Sequence, residues 1–355
     1  MFLCLKYLYL CNMKLKQIIL TACLSFLSLA LSAQVWQYVD PRIGSEGVGR
    51  TFPGPSMPFG MCKPGPDCTV KPNAGWAPMP EVVTGFSQTH VSGTGGGQKY
   101  GNILIQPFIS GEKQEVSGER SDYSQKRTGE DFALGYYATT FENGIRTEIT
   151  TSERCAFYRI HYPTNDISHH LPLTSHLLID ATHYLGKNPV PDQREQQQFV
   201  GAEIEVVNDH EVRGYSRIRG GWNNGDAYTV YFCLVSDQPF THGVRNDVHQ
   251  LCTTFLTPCV NIKVGISYVS TQQAKRNIPE CDFDTQLIKV RERWESLLRR
   301  CGSRHYDAYL STHIETLFCH SLIREWRAVK NGPGNAWSRE YRDYPNIYAH
   351  FHTSY

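Results

Sequence analysis

Between about residues 144 and 270 the chain alternates polar and apolar residues with a period of two, which puts successive side chains on opposite faces of a strand. Residues 145–149, 156–160, 177–179, 203–207, 228–235 and 260–264 are rich in β-branched and aromatic types. Breaks carrying Asn-Gly, Asn-Asp, Gly-Gly or proline separate them. Asn143-Gly144 and Asn224-Gly225 are predicted hairpin turns, since both central positions of the favoured turn need positive φ. Many strands without helices between them predict a mainly β chain built as an antiparallel β-sandwich. After Pro279 the period changes. Leu287, Val290, Trp294, Leu297 and Leu298 recur at helical spacing over 284–300, with Asp282 or Asp284 placed to cap the start and Gly302 beyond the last turn. A second helix is predicted over 306–326, ahead of Gly332-Pro333.

One stretch breaks the strand pattern. Residues 85–107, GFSQTHVSGTGGGQKYGNILIQP, place an aromatic, a Gln, a His, several hydroxyls and six glycines before a short apolar strand. Glycine supplies backbone freedom at an entropic cost that a plain connector need not carry, so the run reads as a shaped polar loop around a ligand. It is not a phosphate loop. From Gly93-Thr-Gly95 a dinucleotide fingerprint needs glycine where Gln98 stands, and no Gly-Lys-Ser/Thr step exists. Nor is it a nucleophile elbow, because Thr89 replaces the last glycine of GxSxG. His90 stands out among the 14 histidines by its company, Gln88 and the 92–97 turn, although a histidine that bonds its own loop fits nearly as well. Upstream, prolines at 53, 55, 58, 64 and 66 fix an ordered coil. Trp76 follows beside a glycine, either as a platform for the apolar face of a sugar ring or as plain packing under the loop.

Composition narrows the class. A formal charge of +1 gives no strong pull toward nucleic acid or an anionic membrane, and 40% hydrophobic residues suffice for a sizeable core. Residues 1–33 read as a secretory signal with Met13 as the better start: Lys14 and Lys16 precede an apolar run, and Leu31-Ser-Ala33 offers a cleavage site. That run is too short for a comfortable membrane span. An exported protein, periplasmic or extracellular, is expected. Of the 12 cysteines, Cys4, Cys11 and Cys23 fall in the leader, and the odd remainder has neither CxxC pairs nor a disulfide-framework spacing. Cys62/Cys68 and Cys252/Cys259 are candidate bridges, with buried free thiols the simpler reading. No HExxH occurs. Glu46, Asp67, Asp122 and Asp226 are available carboxylates that no pattern pairs, so no catalytic residue and no metal ligand is assigned.

Several long motifs in order carry a family resemblance: Val39-Asp-Pro-Arg-Ile-Gly44, Phe52-Pro-Gly-Pro-Ser-Met-Pro-Phe-Gly60, Pro66-Asp67, the 85–107 run, and Val264-Gly-Ile-Ser-Tyr-Val-Ser-Thr-Gln-Gln-Ala274 followed by Asp282 and Trp294. Over about residues 39–298 the chain resembles the N-terminal domain of glycoside hydrolase family 92, the exo-acting α-mannosidases. The resemblance implies a sandwich at 34–278, a helical linker at 279–330 and then an (α/α)6 barrel. It also implies inverting hydrolysis of α-mannosides with Ca²⁺, the carboxylates and most Ca²⁺ ligands lying in the barrel. Inversion needs an acid and a separate base spaced to admit a water. The sandwich's share of the pocket would be Trp76, Gln88, His90, Gly93, Thr94 and Gly95. On this resemblance the barrel is expected to be absent or truncated, and 331–355 reads as an irregular tail such as a frameshifted or prematurely ended gene would give. The expected partners are α-mannoside glycans and a barrel encoded elsewhere or lost, with little activity from the chain alone. The rival reading is a stand-alone carbohydrate-binding sandwich centred on Trp76.

Overall fold

Alternation along the strands becomes a two-layer core in the computed structural model, which describes residues 34–45, 51–68, 75–90, 99–109, 124–164, 174–186, 196–220, 226–245 and 249–299. The leader, the predicted helix at 306–326, the tail at 331–355 and the Asn224-Gly225 turn lie outside the described residues. Among the described residues fourteen strands follow one another: β1 Gly65–Cys68, β2 Val83–Ser87, β3 Leu104–Ile109, β4 Arg127–Ala133, β5 Tyr136–Phe141, β6 Arg146–Thr151, β7 Cys155–His161, β8 Ser175–Asp180, β9 Gln197–Asn208, β10 Glu211–Gly220, β11 Ala227–Ser236, β12 Phe240–Arg245, β13 Gln250–Phe255 and β14 Cys259–Ser267. They form a six-stranded sheet in the order β1-β2-β3-β8-β13-β12 and an eight-stranded sheet in the order β4-β5-β6-β7-β14-β11-β10-β9. The pairings within both sheets are antiparallel.

The inner faces share one hydrophobic cluster. Ala156, Tyr158 and Ile160 of β7, Val260, Ile262, Val264 and Ile266 of β14, and Val230, Phe232 and Leu234 of β11 meet Val83, Phe86, Ile105, Leu177, Ile179, Leu251 and Phe255 from the other sheet. The spacing of two within β7, β14 and β11 is the predicted one. The mainly β sandwich architecture read from the sequence is therefore the architecture found. Asn143-Gly144 turns β5 into β6, with Gly144 at φ 87° and Ile145 N–H donating to Asn143 Oδ1 at 3.1 Å.

Among the described residues two α-helices pack on the outer face of the eight-stranded sheet: α1 Thr271–Arg276 against β11 and β14, and α2 Phe283–Leu298 against β6 and β7. Ser270 caps α1 and Asp282, rather than Asp284, caps α2, each side chain accepting from a first-turn N–H. Phe283 of α2 joins Cys155 and Phe157, the outward residues of β7. Val290, Trp294, Leu297 and Leu298 are buried, and the Trp294 indole N–H donates to Ser56 O at 2.7 Å, which ties the helix to the proline-rich coil.

Candidate functional site

The polar residues around the glycine-rich run are held from below by three segments that lie far apart in sequence. Strand β1 pairs with β2 so that Asp67 faces Gly85 and Gly65 faces Ser87. Beyond the end of β2 the chain brings His90 back over β1, and the segment after β8 brings in His183. The Asp67 carboxylate meets both rings: Oδ1 lies 2.7 Å from His90 Nε2 and Oδ2 lies 2.7 Å from His183 Nε2. Ser87 Oγ stands 3.2 Å from the same His90 nitrogen, and His90 Nδ1 is 2.7 Å from Lys63 O. Phe52 stacks on the His90 ring, centroids 4.4 Å apart at 14°. Gly75, at φ 85°, sits against the cluster, where any Cβ would collide with Asp67 Oδ1 and crowd the His90 ring.

Burying a carboxylate favours its neutral form, yet at Asp67 the imidazoles of His90 and His183 outweigh burial and hold the carboxyl well below the usual range. Both oxygens are occupied, so this carboxylate is built to hold neighbours rather than to pass a proton.

A second network fixes the other end of the run. Thr89 Oγ1 donates to Asn102 Oδ1 at 3.0 Å and accepts from Asn102 N–H at 2.9 Å. Tyr228 O–H of β11 also donates to Asn102 Oδ1, and Gln197 of β9 links Tyr228 O–H to the Tyr100 N–H. Tyr100 and Ile103 hold φ of 64° and 61°, values that side-chain-bearing residues rarely adopt and that cluster where function requires a set shape.

The structure places the predicted site residues as follows. Trp76 is 3% exposed, its indole N–H donates to Glu130 Oε1 at 3.1 Å, and its ring meets Phe132 edge-on. Gln88 is buried: its Nε2 donates to Phe86 O and Ile103 O, and its Oε1 accepts from Tyr158 O–H across the sandwich. His90 is buried in the Asp67 cluster. Gly93, Thr94 and Gly95 lie outside the described residues. The three described side chains are thus buried and bonded within the domain. Sequence reasoning noted Asp67 without partners and missed His183 and the Asn102 network altogether.

Ca²⁺ asks for six to eight oxygen ligands. Among the described residues no group of three or more His, Cys, Asp or Glu side chains is arranged to hold a metal ion, and both Asp67 oxygens are engaged by imidazoles. These residues do not fit Ca²⁺, and no step is derived through it. All seven described cysteines, Cys62, Cys68, Cys252 and Cys259 among them, are free thiols.

With this geometry in hand, comparison with known proteins is decisive at the family level. The family model for the glycosyl hydrolase family 92 N-terminal domain matches residues 38–275. The chain belongs to glycosyl hydrolase family 92. An uncharacterized secreted glycosidase of Arthroderma benhamiae is 33% identical over 158 residues, which cover 42% of this chain and 20% of that protein. Among solved structures, the family GH92 α-mannosidase BT3965 from Bacteroides thetaiotaomicron aligns with TM-score 0.62 and 24% identity over 75% of this chain and 37% of its own. The GH92 inverting mannosidase BT2199 from Bacteroides thetaiotaomicron VPI-5482 aligns with TM-score 0.56 and 21% identity, over 76% of this chain and 37% of its own. The shared property at that identity is the fold. The chain spans one fifth of its secreted relative's length and under two fifths of these solved relatives. Among the described residues no helix is long and apolar enough to cross a membrane.

Proposed function

We propose that this family 92 domain supplies one wall of the substrate pocket of an exported, inverting α-mannosidase acting on glycan α-mannosides. The observation that carries the reading is the family domain match over residues 38–275, set beside structural relatives that are an α-mannosidase and an inverting mannosidase. In this reading Gly93, Thr94 and Gly95 face the sugar, while Trp76, Gln88 and His90 hold the run in shape from beneath. The acid and base of hydrolysis belong to the larger part of the relatives that this chain does not span. Ca²⁺ enters as the group that would grip vicinal sugar hydroxyls, with ligands outside the described residues. A barrel domain, in the same protein or separately encoded, is the partner that completes the pocket. Export is supported by the secreted relative. The stand-alone binding module centred on Trp76 is disfavoured because the ring has no open face for stacking.

The test is isothermal calorimetry and mannose release on the full chain. Weak binding of α-mannobiose, none of cellobiose, and no mannose release are expected. Equal heats for the two disaccharides, or no heat for either, would refute the α-mannoside assignment. Mannose release at an ordinary enzymatic rate would refute the placement of the reacting carboxylates elsewhere.

A further inference from the structure

Hydrogen-bond valence at Asp67 fixes how its two histidines bond to it. An ionised carboxylate can only accept, and this one is held ionised by its neighbours. The Nε2 atoms of His90 and His183, each 2.7 Å from one of its oxygens, therefore both donate. His90 Nδ1 lies 2.7 Å from a backbone carbonyl, Lys63 O, which also only accepts. His90 thus donates from both nitrogens and carries the positive charge that neutralises the buried carboxylate. His183 likewise spends its Nε2–H on Asp67, which leaves Nδ1 as the ring nitrogen not committed to the cluster.

His183 is also the accessible member. The His183 side chain is 13% exposed, against 0% for His90 and 1% for Asp67. Among the described residues nothing bonds its Nδ1. The segment that carries it is anchored on both sides. Thr182 donates its N–H and hydroxyl to Asp180 Oδ1, and Leu185 N–H donates to Tyr100 O at 2.7 Å, at the foot of the glycine-rich run. The other ionisable side chains that feel the Asp67 charge, Cys68 and Tyr158, are themselves buried with raised pKa, so they stay neutral beside it.

We propose that His183 is a ligand-contacting residue, held by Asp67 as a preset hydrogen-bond acceptor for a sugar hydroxyl, with Asp67 and His90 as its positioning residues. The inference rests on the α-mannoside reading and names the residue of this domain that would accept from the sugar. A ring already fixed in place loses little freedom on binding.

The experiment is ¹⁵N NMR of the histidine-labelled full chain at neutral pH, before and after α-mannobiose, with calorimetry on His183→Gln. Glutamine keeps a donor for Asp67 and moves the remaining acceptor from the Nδ1 position to its amide oxygen. Expected are a bare Nδ1 on His183, two N–H groups on His90, and movement of the His183 Nδ1 resonance on binding. His183→Gln should bind roughly five- to tenfold more weakly, the worth of one hydrogen bond, with an unchanged melting temperature. A His183 protonated on Nδ1, or equal binding by wild type and His183→Gln, would overturn the proposal and leave the mannoside reading standing. If wild type binds no α-mannobiose, the mannoside reading falls. Mapped modification by diethyl pyrocarbonate then decides the acceptor: reaction at His183 with His90 protected supports it, and an unreactive His183 overturns it.

Discussion

Replacing Asp67 by asparagine tests the electrostatic argument at its centre. The side chain keeps its shape and loses its charge, so the buried His90 cation is left without a counter-ion. The amide also turns one of its two ends into a donor that faces an imidazole N–H, so one of the two 2.7 Å contacts becomes repulsive. Breaking a buried pair by removing one partner costs about 3–5 kcal/mol. In a domain of this size that corresponds to a fall of about 6–20 °C in melting temperature. Thermal melts followed by circular dichroism at several pH values provide the assay. The Asp67 pKa is depressed in the folded state, so its stabilisation is complete above the ordinary carboxylate range and drains away as pH falls below it. The gap between wild type and Asp67→Asn should therefore be largest near neutrality and narrow below about pH 4, at no more than about 1.4 kcal/mol per pH unit for one group. A variant that melts within about 2 °C of wild type at pH 7 would refute the ion-pair account, since that is below the shift expected for 1 kcal/mol. So would a gap that persists undiminished at pH 2.5.

Gly75→Ala should lower the urea midpoint by the equivalent of at least about 1–2 kcal/mol from left-handed backbone alone, with more from crowding Asp67; an unchanged midpoint would show that the cluster tolerates the extra carbon. Trp294→Ala should cost about 3–5 kcal/mol in the same denaturation experiment, because it removes both a buried ring of α2 and its bond to Ser56. In native alkylation with iodoacetamide, Cys62 and Cys233, whose thiols burial pushes up to about 12, should stay unmodified with Cys155. The partly exposed Cys252, Cys259 and Cys281 should label first, and mass mapping reads the order.

Much of the sandwich was legible because burial on one face writes itself into alternation: 156–160, 228–235 and 260–264 fall in β7, β11 and β14. Strands β2, β5, β10, β12 and β13 were not singled out, and strands without that signature were missed altogether. β1 reads Gly-Pro-Asp-Cys, β4 is mostly polar at a sheet edge, and both exist because a neighbouring strand accepts them. The short helix α1 was missed as well, its six residues burying only Ala274. At the site, His90 could be singled out by its neighbours, but its meaning depends on Asp67, 23 residues earlier. Asp67 depends in turn on His183, 116 residues later. Strand order alone brings them together. The positive φ of Tyr100 and Ile103 carries no sequence signal, since neither is glycine. Trp76 is ambiguous by nature: an aromatic beside a glycine serves equally as platform or core, and Glu130, 54 residues on, claims its indole.

The strand order also sets a timetable. β8 lies between β3 and β13, so the middle of the six-stranded sheet forms only when segments some seventy residues to either side have arrived. β14 joins β7 to β11, so the larger sheet stays in two halves until residue 267 has been made. Pairings this distant must bear loop-closure entropy before any contact rewards it, which makes assembly slow. At an ordinary synthesis rate of about 5–20 residues per second, the chain passes seconds with neither sheet complete. A chain that cannot close early keeps unpaired strand edges and apolar surface exposed for longer, the condition in which aggregation competes with folding.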